Sequence, residues 1–264
     1  MYGFDYQRPA GTAAAVAAIG PEARYLAGGQ SLVQAMKLRL SQSERLVDLG
    51  GIAELAGIRI EGQQLVIGAM TRHAQVAASA EVRKAIPALA ELAGGIGDPM
   101  VRNMGTLGGS IANADPAADY PAAVLGLGAT VRTNQRQIAA DAFFTDMFET
   151  ALQPGELITE VSFPLPQRAA YAKFRQPASR FAIVGVFVSQ GAGGVRVAVT
   201  GARSSVFRAT DFEKALTASF TPQAAQAVQL GSEGVNGDMH GSAEYRAAMV
   251  GVMASRAVAA ALAR

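Results

Sequence analysis

The sequence predicts an α+β (α/β) fold made of two parts, residues 1–167 and residues 168–264. Helix-like and strand-like segments alternate as far as about Pro166, a pattern typical of proteins that pack helices against sheets. The segment FPLPQRAAY then interrupts the alternation with two prolines. Three strand-like segments and a long helical one follow, which predicts a smaller second part with an antiparallel sheet.

The first part begins with an alanine-rich helix, GTAAAVAAIGPEA, that we expect to end at Gly20 and Pro21. The segment RYLAGGQSLVQAMKLRL predicts a short strand, a turn at Gly28 and Gly29, and a helix in which apolar residues recur at helical spacing. The segments RLVDLGGI and QLVIGAM are typical of short strands.

Two helices are predicted next. TRHAQVAASA is helical from Thr71, whose hydroxyl can cap the helix, and VRKAIPALAELAGGIG ends at Gly94 and Gly95. Beyond the break, YAKFRQ, FAIVGVFVSQ and VRVAVTGA predict three strands, the last two joined by a hairpin at 191–194. GSAEYRAAMVGVMASRAVAAALA predicts a final helix that begins near Ser242.

Charge and hydropathy exclude several functions. The 23 basic and 21 acidic residues are scattered along the chain, so the basic stripe of a nucleic-acid-binding protein is missing. No run of about 18 apolar residues is present, and we therefore expect no membrane span. The N-terminal MYGFDYQRPAG lacks the basic and apolar regions of a signal peptide, which predicts a cytoplasmic protein.

The chain has little catalytic chemistry of its own. It contains no cysteine, which excludes disulfides, thiolate metal sites and cysteine nucleophiles. Its two histidines, His73 and His240, lie far apart without a metal-ligand spacing. We therefore predict no metal site and expect a bound cofactor to supply any redox chemistry.

The glycine pair in AGGQSL is the first candidate binding motif. Glycine lets a ligand approach the main-chain amides closely, and amides that precede a helix suit a phosphate or pyrophosphate. The motif matches neither GxGxxG nor GxxxxGK. Taken alone, it leaves open a simple tight turn between a strand and a helix.

A second glycine motif lies in RNMGTLGGSIANADPAADYP, from Arg102 to Pro121. Two amide-rich loops can clamp one diphosphate from two sides, and a nearby carboxylate can accept hydrogen bonds from ribose or ribityl hydroxyls. A solvated turn at Asp-Pro is the alternative. The candidate binding residues of the motif are Thr106, Gly108, Gly109, Ser110, Asn113, Asp115 and Asp119.

These segments resemble a known family. AGGQSLVQAMKLRL and RNMGTLGGSIANADPAADYPAAVLGLGA resemble the two FAD-binding motifs of the medium, flavin-carrying subunit of molybdenum hydroxylases, such as xanthine dehydrogenase and aerobic carbon monoxide dehydrogenase. ASRFAIVGVFV and GSAEYRAAMVGVMASRA resemble the last domain of that subunit. The resemblance implies a two-subdomain FAD-binding domain of the PCMH/vanillyl-alcohol-oxidase type over 1–167, with FAD between the subdomains, and a small C-terminal α+β domain over 168–264.

The resemblance also implies the cofactor contacts, position by position. It assigns no catalytic residue and no metal ligand to this chain. Lys173 is expected to stabilise negative charge on the reduced flavin, and Tyr120 either stacks on the flavin or packs in the core. The implied FAD-binding residues are Arg24, Leu26, Ala27, Gly28, Gly29, Gln30, Ser31, Leu32, Ile96, Gly97, Val101, Thr106, Gly109, Ser110, Asn113, Asp119, Ile158 and Lys173.

As the resemblance implies, the chain is an oxidoreductase subunit with FAD as its only redox centre. The molybdenum cofactor is then on a large partner subunit and the [2Fe-2S] clusters are on a small one, in a dimer of heterotrimers. Electrons pass from the clusters through FAD to NAD, a quinone or oxygen. A stand-alone flavin-dependent oxidoreductase of the same fold and a non-catalytic nucleotide-binding scaffold are the alternatives.

Overall fold

The computed structural model describes residues 1–264, which form eleven α-helices and fourteen β-strands. The helices are α1 (Thr12–Ala18), α2 (Leu32–Lys37), α3 (His73–Ala78), α4 (Ala80–Ala85), α5 (Pro87–Gly94), α6 (Pro99–Met104), α7 (Leu107–Asn113), α8 (Tyr120–Leu127), α9 (Thr210–Ala218), α10 (Pro222–Gln226) and α11 (Ala243–Leu262). The strands are β1 (Asp5–Gln7), β2 (Ala23–Leu26), β3 (Arg45–Asp48), β4 (Ile58–Glu61), β5 (Gln64–Gly68), β6 (Thr130–Thr133), β7 (Gln137–Ala139), β8 (Phe144–Asp146), β9 (Glu149–Thr150), β10 (Ile158–Pro164), β11 (Arg168–Arg175), β12 (Ala182–Gly191), β13 (Gly194–Thr200) and β14 (Phe207–Arg208).

A small parallel sheet opens the chain, in the order β1–β3–β2. Parallel neighbours need a crossover connection, and the α1 and α2 segments provide the connections here. Ala15 of α1 packs with Val47 and Leu49 in a core of only six buried residues. This unit presents the β2–α2 turn, which carries the first glycine motif.

An antiparallel sheet of five strands follows, in the order β4–β5–β10–β6–β7. The central strand β10 lies between β5 and β6, so the chain returns to the middle of this sheet only after residue 157. Helices α3, α4, α5, α7 and α8 contribute to the same core of 31 buried residues, which includes Leu65 and Ile67 of β5. This core supports α7, whose first turn holds the second glycine motif.

The C-terminal region contains the predicted antiparallel sheet, in the order β11–β12–β13–β14. Both faces of β12 are buried: Phe187 joins the large core, whereas Val186 and Val188 join a second core beneath α11. A strand covered on both faces reads as a continuous apolar run, as FAIVGVFV does. The fold class predicted from the sequence is therefore confirmed, while the domain boundary at 167/168 stays a prediction.

Two predicted helix limits were wrong. Helix α3 begins at His73, because the Thr71 hydroxyl bonds the backbone of Gly57 and the Gln75 side chain accepts instead from the Arg72 amide at 2.9 Å. The single helix predicted over VRKAIPALAELAGGIG is divided into α4 and α5. The division falls at Ile86, because the helical conformation is disfavoured for a residue that precedes a proline, here Pro87.

Two other local predictions are confirmed. The hairpin over 191–194 joins β12 to β13, and the Ser242 hydroxyl caps α11 by accepting from the Tyr245 amide at 3.2 Å. Although α11 has 20 residues, no helix of the structure combines the length and the apolar composition that crossing a membrane requires.

Candidate cofactor-binding site

A cavity of about 660 Å³ lies where the β2–α2 turn meets α6, α7 and the start of β10. This volume falls within the range of small-molecule sites, about 300–1,000 Å³. Two of the residues implied by the resemblance, Leu26 and Lys173, do not line it. The implied residues that do are Arg24, Ala27, Gly28, Gly29, Gln30, Ser31, Leu32, Ile96, Gly97, Val101, Thr106, Gly109, Ser110, Asn113, Asp119 and Ile158.

The β2–α2 turn supplies free backbone donors. The amides of Gly28, Gly29, Gln30 and Ser31 donate no hydrogen bond to any acceptor in the chain, although all four residues line the cavity. Gly29 has φ of +71°, a conformation that side chains disfavour and that lets successive amides converge. Such a group of unpaired amides is suited to a phosphate or diphosphate.

Gly28 allows the two glycine motifs to touch. A Cβ atom at this position would lie 2.1 Å from the carbonyl oxygen of Met104 and 2.7 Å from the Cα of Gly105. Backbone atoms cannot yield as a flexible side chain can, so any larger residue must push the α6–α7 connection away. The glycine at this position is therefore required by the close approach of two backbones.

The second motif offers side chains where the sequence predicted amides. Thr106 caps α7 by accepting from the Gly109 amide at 3.1 Å, and the Gly108 amide donates to Ala69 at 2.8 Å. The Ser110 amide likewise donates to Thr106 at 3.0 Å. The prediction of two amide-rich loops was therefore wrong for the second loop, because the start of α7 consumes its amides.

Three side chains of the second motif, Thr106, Ser110 and Asn113, remain available as hydrogen-bond donors to a ligand. The Thr106 hydroxyl accepts one hydrogen bond and donates none, while the Ser110 hydroxyl and the Asn113 amide have no partner in the chain. Each can donate to a hydroxyl, carbonyl or phosphate oxygen. The two motifs thus contribute different donors to one cavity: backbone amides from the first and side chains from the second.

Asp119 is a buried carboxylate of the cavity wall that is held through both of its oxygens. It is 5% exposed, and its Oδ2 accepts from the Lys173 ammonium at 2.7 Å while its Oδ1 accepts from the Tyr171 hydroxyl. Burial raises the pKa of the Asp119 carboxyl, and Lys173 and Tyr171 oppose that rise. Lys173 does not line the cavity; it lies behind Asp119, where it also donates to the Gly95 carbonyl at 3.3 Å.

The turn between α5 and α6 is fixed by two arginines. Arg102 donates to the carbonyl oxygens of Ile96 at 3.0 Å and Gly97 at 3.3 Å, and Arg180 donates to Gly97 at 3.2 Å. Arg180 and its neighbours on the β11–β12 loop also line the cavity. Sequence reasoning missed this wall, since the loop lies far beyond the second motif in the chain and carries no glycine signal.

His73 and Tyr120 form a buried aromatic pair near the cavity, with ring centroids 5.3 Å apart. His73 lines the cavity and was missed; burial, and then Arg102, lower its pKa to about 4, so the imidazole is neutral. Tyr120 is fully buried and does not line the cavity. The packing alternative for Tyr120 is therefore confirmed. His240, the other histidine, lies on an exposed loop before α11.

Comparisons with known proteins show the family of this chain. The family described as "FAD binding domain in molybdopterin dehydrogenase" matches residues 2–166. The carbon monoxide dehydrogenase medium chain of Afipia carboxidovorans is 38% identical over an alignment of 281 positions, gaps included. The alignment covers 99% of this chain and 97% of that one. The alpha subunit of the 6-hydroxypseudooxynicotine dehydrogenase complex of Paenarthrobacter nicotinovorans is 37% identical over an alignment of 263 positions, gaps included. This alignment covers 93% of this chain and 88% of that one.

A solved structure shows the same likeness in three dimensions. Carbon monoxide dehydrogenase from Hydrogenophaga pseudoflava, in a form that lacks the Mo-pyranopterin moiety of its cofactor, contains a chain that superposes with a TM-score of 0.90. The identity is 37%, and the match covers 98% of this chain and 97% of that chain.

Fold, cavity and comparisons together define an FAD-binding oxidoreductase subunit. The chain belongs to the family of FAD-binding medium subunits of the molybdenum hydroxylases. Within that family it is similar over nearly its whole length to the medium chains of carbon monoxide dehydrogenase.

Proposed function

We propose that this chain passes electrons from the iron–sulfur clusters of a partner subunit through FAD to an external acceptor, which is NAD, a quinone or oxygen. Bound FAD supplies the chemistry of accepting and releasing electrons, whereas the protein binds and orients it. One observation carries the proposal: four unpaired amides of the β2–α2 turn and the free hydroxyl of Thr106 line the same cavity.

The residues of the wall have distinct proposed roles. The amides of Gly28–Ser31 bind the diphosphate, because unpaired N–H groups stabilise negative charge. Thr106, Ser110 and Asn113 donate hydrogen bonds to the cofactor from α7. Asp119 accepts hydrogen bonds through the lone pairs that Tyr171 and Lys173 leave free. The whole set of contacts implied by the resemblance is part of this proposal.

Apolar residues make up the rest of the proposed binding surface. Ile96, Val101 and Ile158 line the cavity, and Ile158 is 4% exposed at the first position of β10. Side chains of this kind bury an aromatic ring system and keep water from its faces. In this proposal they orient the flavin and take no part in proton transfer.

The iron–sulfur clusters of the proposed route lie on other chains, because this chain has no cysteine to ligate one. The relatives are named as a medium chain and as a subunit of a complex, so these proteins work in multi-subunit assemblies. We propose a small iron–sulfur subunit and a large molybdenum subunit as partners, in a dimer of heterotrimers. A cytoplasmic location and the domain boundary at 167/168 stay predictions.

The substrate of the complex is a property of another subunit in this proposal. The relatives are named for carbon monoxide and for 6-hydroxypseudooxynicotine, two chemically unrelated compounds, although each is 37–38% identical to this chain. A flavin subunit that serves such different substrates has no need to contact them. We therefore assign no substrate-binding residue to this chain.

The test compares the three-subunit complex with the complex of the large and small subunits alone. Both are reduced with dithionite, and reoxidation of the iron–sulfur absorption is followed after NAD, a quinone or oxygen is added. We expect fast reoxidation only with the flavin subunit, and slow reoxidation when that subunit carries Asp119→Ala. Equal rates with and without the subunit would overturn the electron route. A chain that binds FAD and oxidises a substrate without partners would favour the stand-alone oxidoreductase.

A further inference from the structure

Tyr171 and Lys173 lie two residues apart on β11, so their side chains leave the same face of the strand. Each donates to a different oxygen of Asp119, Lys173 to Oδ2 and Tyr171 to Oδ1. A carboxylate held through both oxygens cannot rotate freely, and each oxygen keeps a lone pair for another donor. Asp119 is therefore held from behind while it lines the cavity.

We infer that Tyr171 is a positioning residue of the FAD site, whose hydroxyl holds the Asp119 carboxylate in the orientation that receives the cofactor. The inference rests on the proposed function. Tyr171 does not line the cavity and was not among the residues implied by the resemblance. It acts only through Asp119, and its hydroxyl keeps its proton because burial raises the pKa of Tyr171.

A glycine on the neighbouring strand makes room for this hydroxyl. Gly185 of β12 is paired with Lys173, which places it diagonally from Tyr171. A Cβ atom at Gly185 would lie 2.2 Å from the Tyr171 hydroxyl oxygen. Glycine weakens the interior of a strand, so its presence in the apolar run FAIVGVFV has a cause: the tyrosine needs the space to reach Asp119.

The same sheet also holds the backbone that leads to Asp119. The Ala182 amide donates to the Ala117 carbonyl at 3.3 Å, and the Gly201 amide donates to the Pro116 carbonyl at 2.7 Å. The Thr200 hydroxyl lies 2.7 Å from the carbonyl oxygens of both Pro116 and Ala118. With the loop anchored independently, loss of the Tyr171 hydroxyl changes the orientation of the carboxylate and leaves the loop in place.

The charge state of Asp119 depends on the groups that face it. On β11 these are Tyr171, Lys173 and, at longer range, Arg175; on α8 the buried ring of Tyr120 follows directly. Tyr171 favours the ionised carboxylate by donating to it. Removal of the Tyr171 hydroxyl therefore raises the pKa of Asp119. If FAD binding needs the ionised carboxylate, the loss of binding on acidification then begins at a higher pH than in the wild type.

The experiment compares two tyrosine-to-phenylalanine variants in the assembled complex. FAD is removed, and rebinding is titrated across a range of pH by the quenching of flavin fluorescence. We expect Tyr171→Phe to weaken binding about tenfold, with the acid loss displaced to higher pH, since a hydrogen bond to a charged group is removed. Tyr120→Phe is the matched control, because that buried hydroxyl has no partner and its removal should change neither quantity.

Gly185→Ala is an independent variant that keeps the tyrosine but displaces its hydroxyl. The added Cβ would lie 2.2 Å from the Tyr171 hydroxyl oxygen and 2.8 Å from Cγ2 of Thr200, so this variant should weaken binding at least as much as Tyr171→Phe does. Circular dichroism and subunit assembly verify folding of each variant. If Tyr171→Phe binds FAD with wild-type affinity and pH dependence while Asp119→Ala loses FAD, the inference on Tyr171 is overturned and the proposed function is not. A wild-type complex without FAD would overturn the proposed function.

Discussion

The carbonyl oxygen of Met104 lies 2.1 Å from the point at which residue 28 would carry a Cβ atom. This contact joins the β2–α2 turn to the α6–α7 connection. A Cβ on Gly109 would likewise lie 3.3 Å from the Cβ of Ala27, so the start of α7 is also against the turn. The backbone donors of one motif and the side-chain donors of the other are neighbours because these backbones touch.

Gly28→Ala is therefore expected to separate the two motifs. The added methyl group meets rigid backbone, so the free energy of unfolding should fall by about 1–3 kcal/mol. FAD content should fall with it, because the turn amides no longer lie beside α7. Urea denaturation gives the first quantity, and flavin absorbance per mole of complex gives the second.

Gly193→Ala is the matched control for that change. Gly193 lies in the β12–β13 hairpin, and a Cβ there meets no atom within 4 Å. The control should keep wild-type stability and FAD content. If Gly28→Ala behaves in the same way as Gly193→Ala, the close approach of the two motifs does not determine cofactor binding.

Thr106 caps α7 and is proposed to donate a hydrogen bond to FAD; a pair of variants tests both. Thr106→Val removes the cap of α7, at about 1 kcal/mol, and also the free hydroxyl donor. Its FAD affinity should fall about tenfold, which fluorescence titration measures. Thr106→Ser keeps both functions and should bind FAD almost as the wild type does. Full affinity in the valine variant would exclude Thr106 as a cofactor contact.

His73 should make stability depend on pH. Because the folded pKa is about 4 and the ordinary value is 6.5, the unfolded chain takes up a proton first as the pH falls. The contribution is fully present above pH 6.5 and decreases as the pH falls toward 4, by at most about 3 kcal/mol. Unfolding free energies at several pH values should show this slope, and His73→Gln should flatten it.

The direct measurement is an NMR titration of the imidazole. The chain has only two histidines, so a His240→Gln variant assigns the remaining signal to His73. The resonance of His73 should stay in its neutral position until the pH approaches 4. A midpoint near 6.5 would show that this side chain is accessible to water and would remove the predicted pH dependence.

Glu156 should stabilise the fold through a buried carboxylate. It accepts hydrogen bonds from Arg136 and Thr133 and from the Gln153 amide, and these contacts lower its pKa to about 2. The stabilisation is present above about pH 4.5 and is lost as the pH falls toward 2. Glu156→Gln should cost about 2 kcal/mol at pH 7, measured by urea denaturation, since buried partners lose a charged acceptor.

Asp211→Asn tests the alternative that any lost carboxylate has this effect. Asp211 pairs with Lys214 on the surface, where its side chain is 75% exposed. Exposed pairs of this kind contribute little, so the variant should unfold as the wild type does. Similar losses in both variants would attribute the effect to net charge.

The local elements of the site were predictable because their signals lie within a few residues. The glycine pair at Gly28 and Gly29 predicts a turn between a strand and a helix, and that turn is present. The second motif predicted that glycines and hydroxyl residues lie together at the site, and Thr106, Gly109 and Ser110 do line the cavity. Its amides were misjudged, because a helix begins at Leu107 and Thr106 caps it. Whether an amide is free depends on the partner that folding gives it.

By itself, the sequence determined the fold class, the turn at the first glycine pair and the lack of any cysteine that could ligate an iron–sulfur cluster in this chain. Only the tertiary structure decided which donors are free, that Lys173 and Tyr171 both bond Asp119, and that Arg180 bonds the Gly97 carbonyl at the cavity wall. These residues lie far from both motifs in the chain. Strand pairing and loop packing bring them to the cavity, and no local periodicity or turn signal encodes such contacts between distant residues.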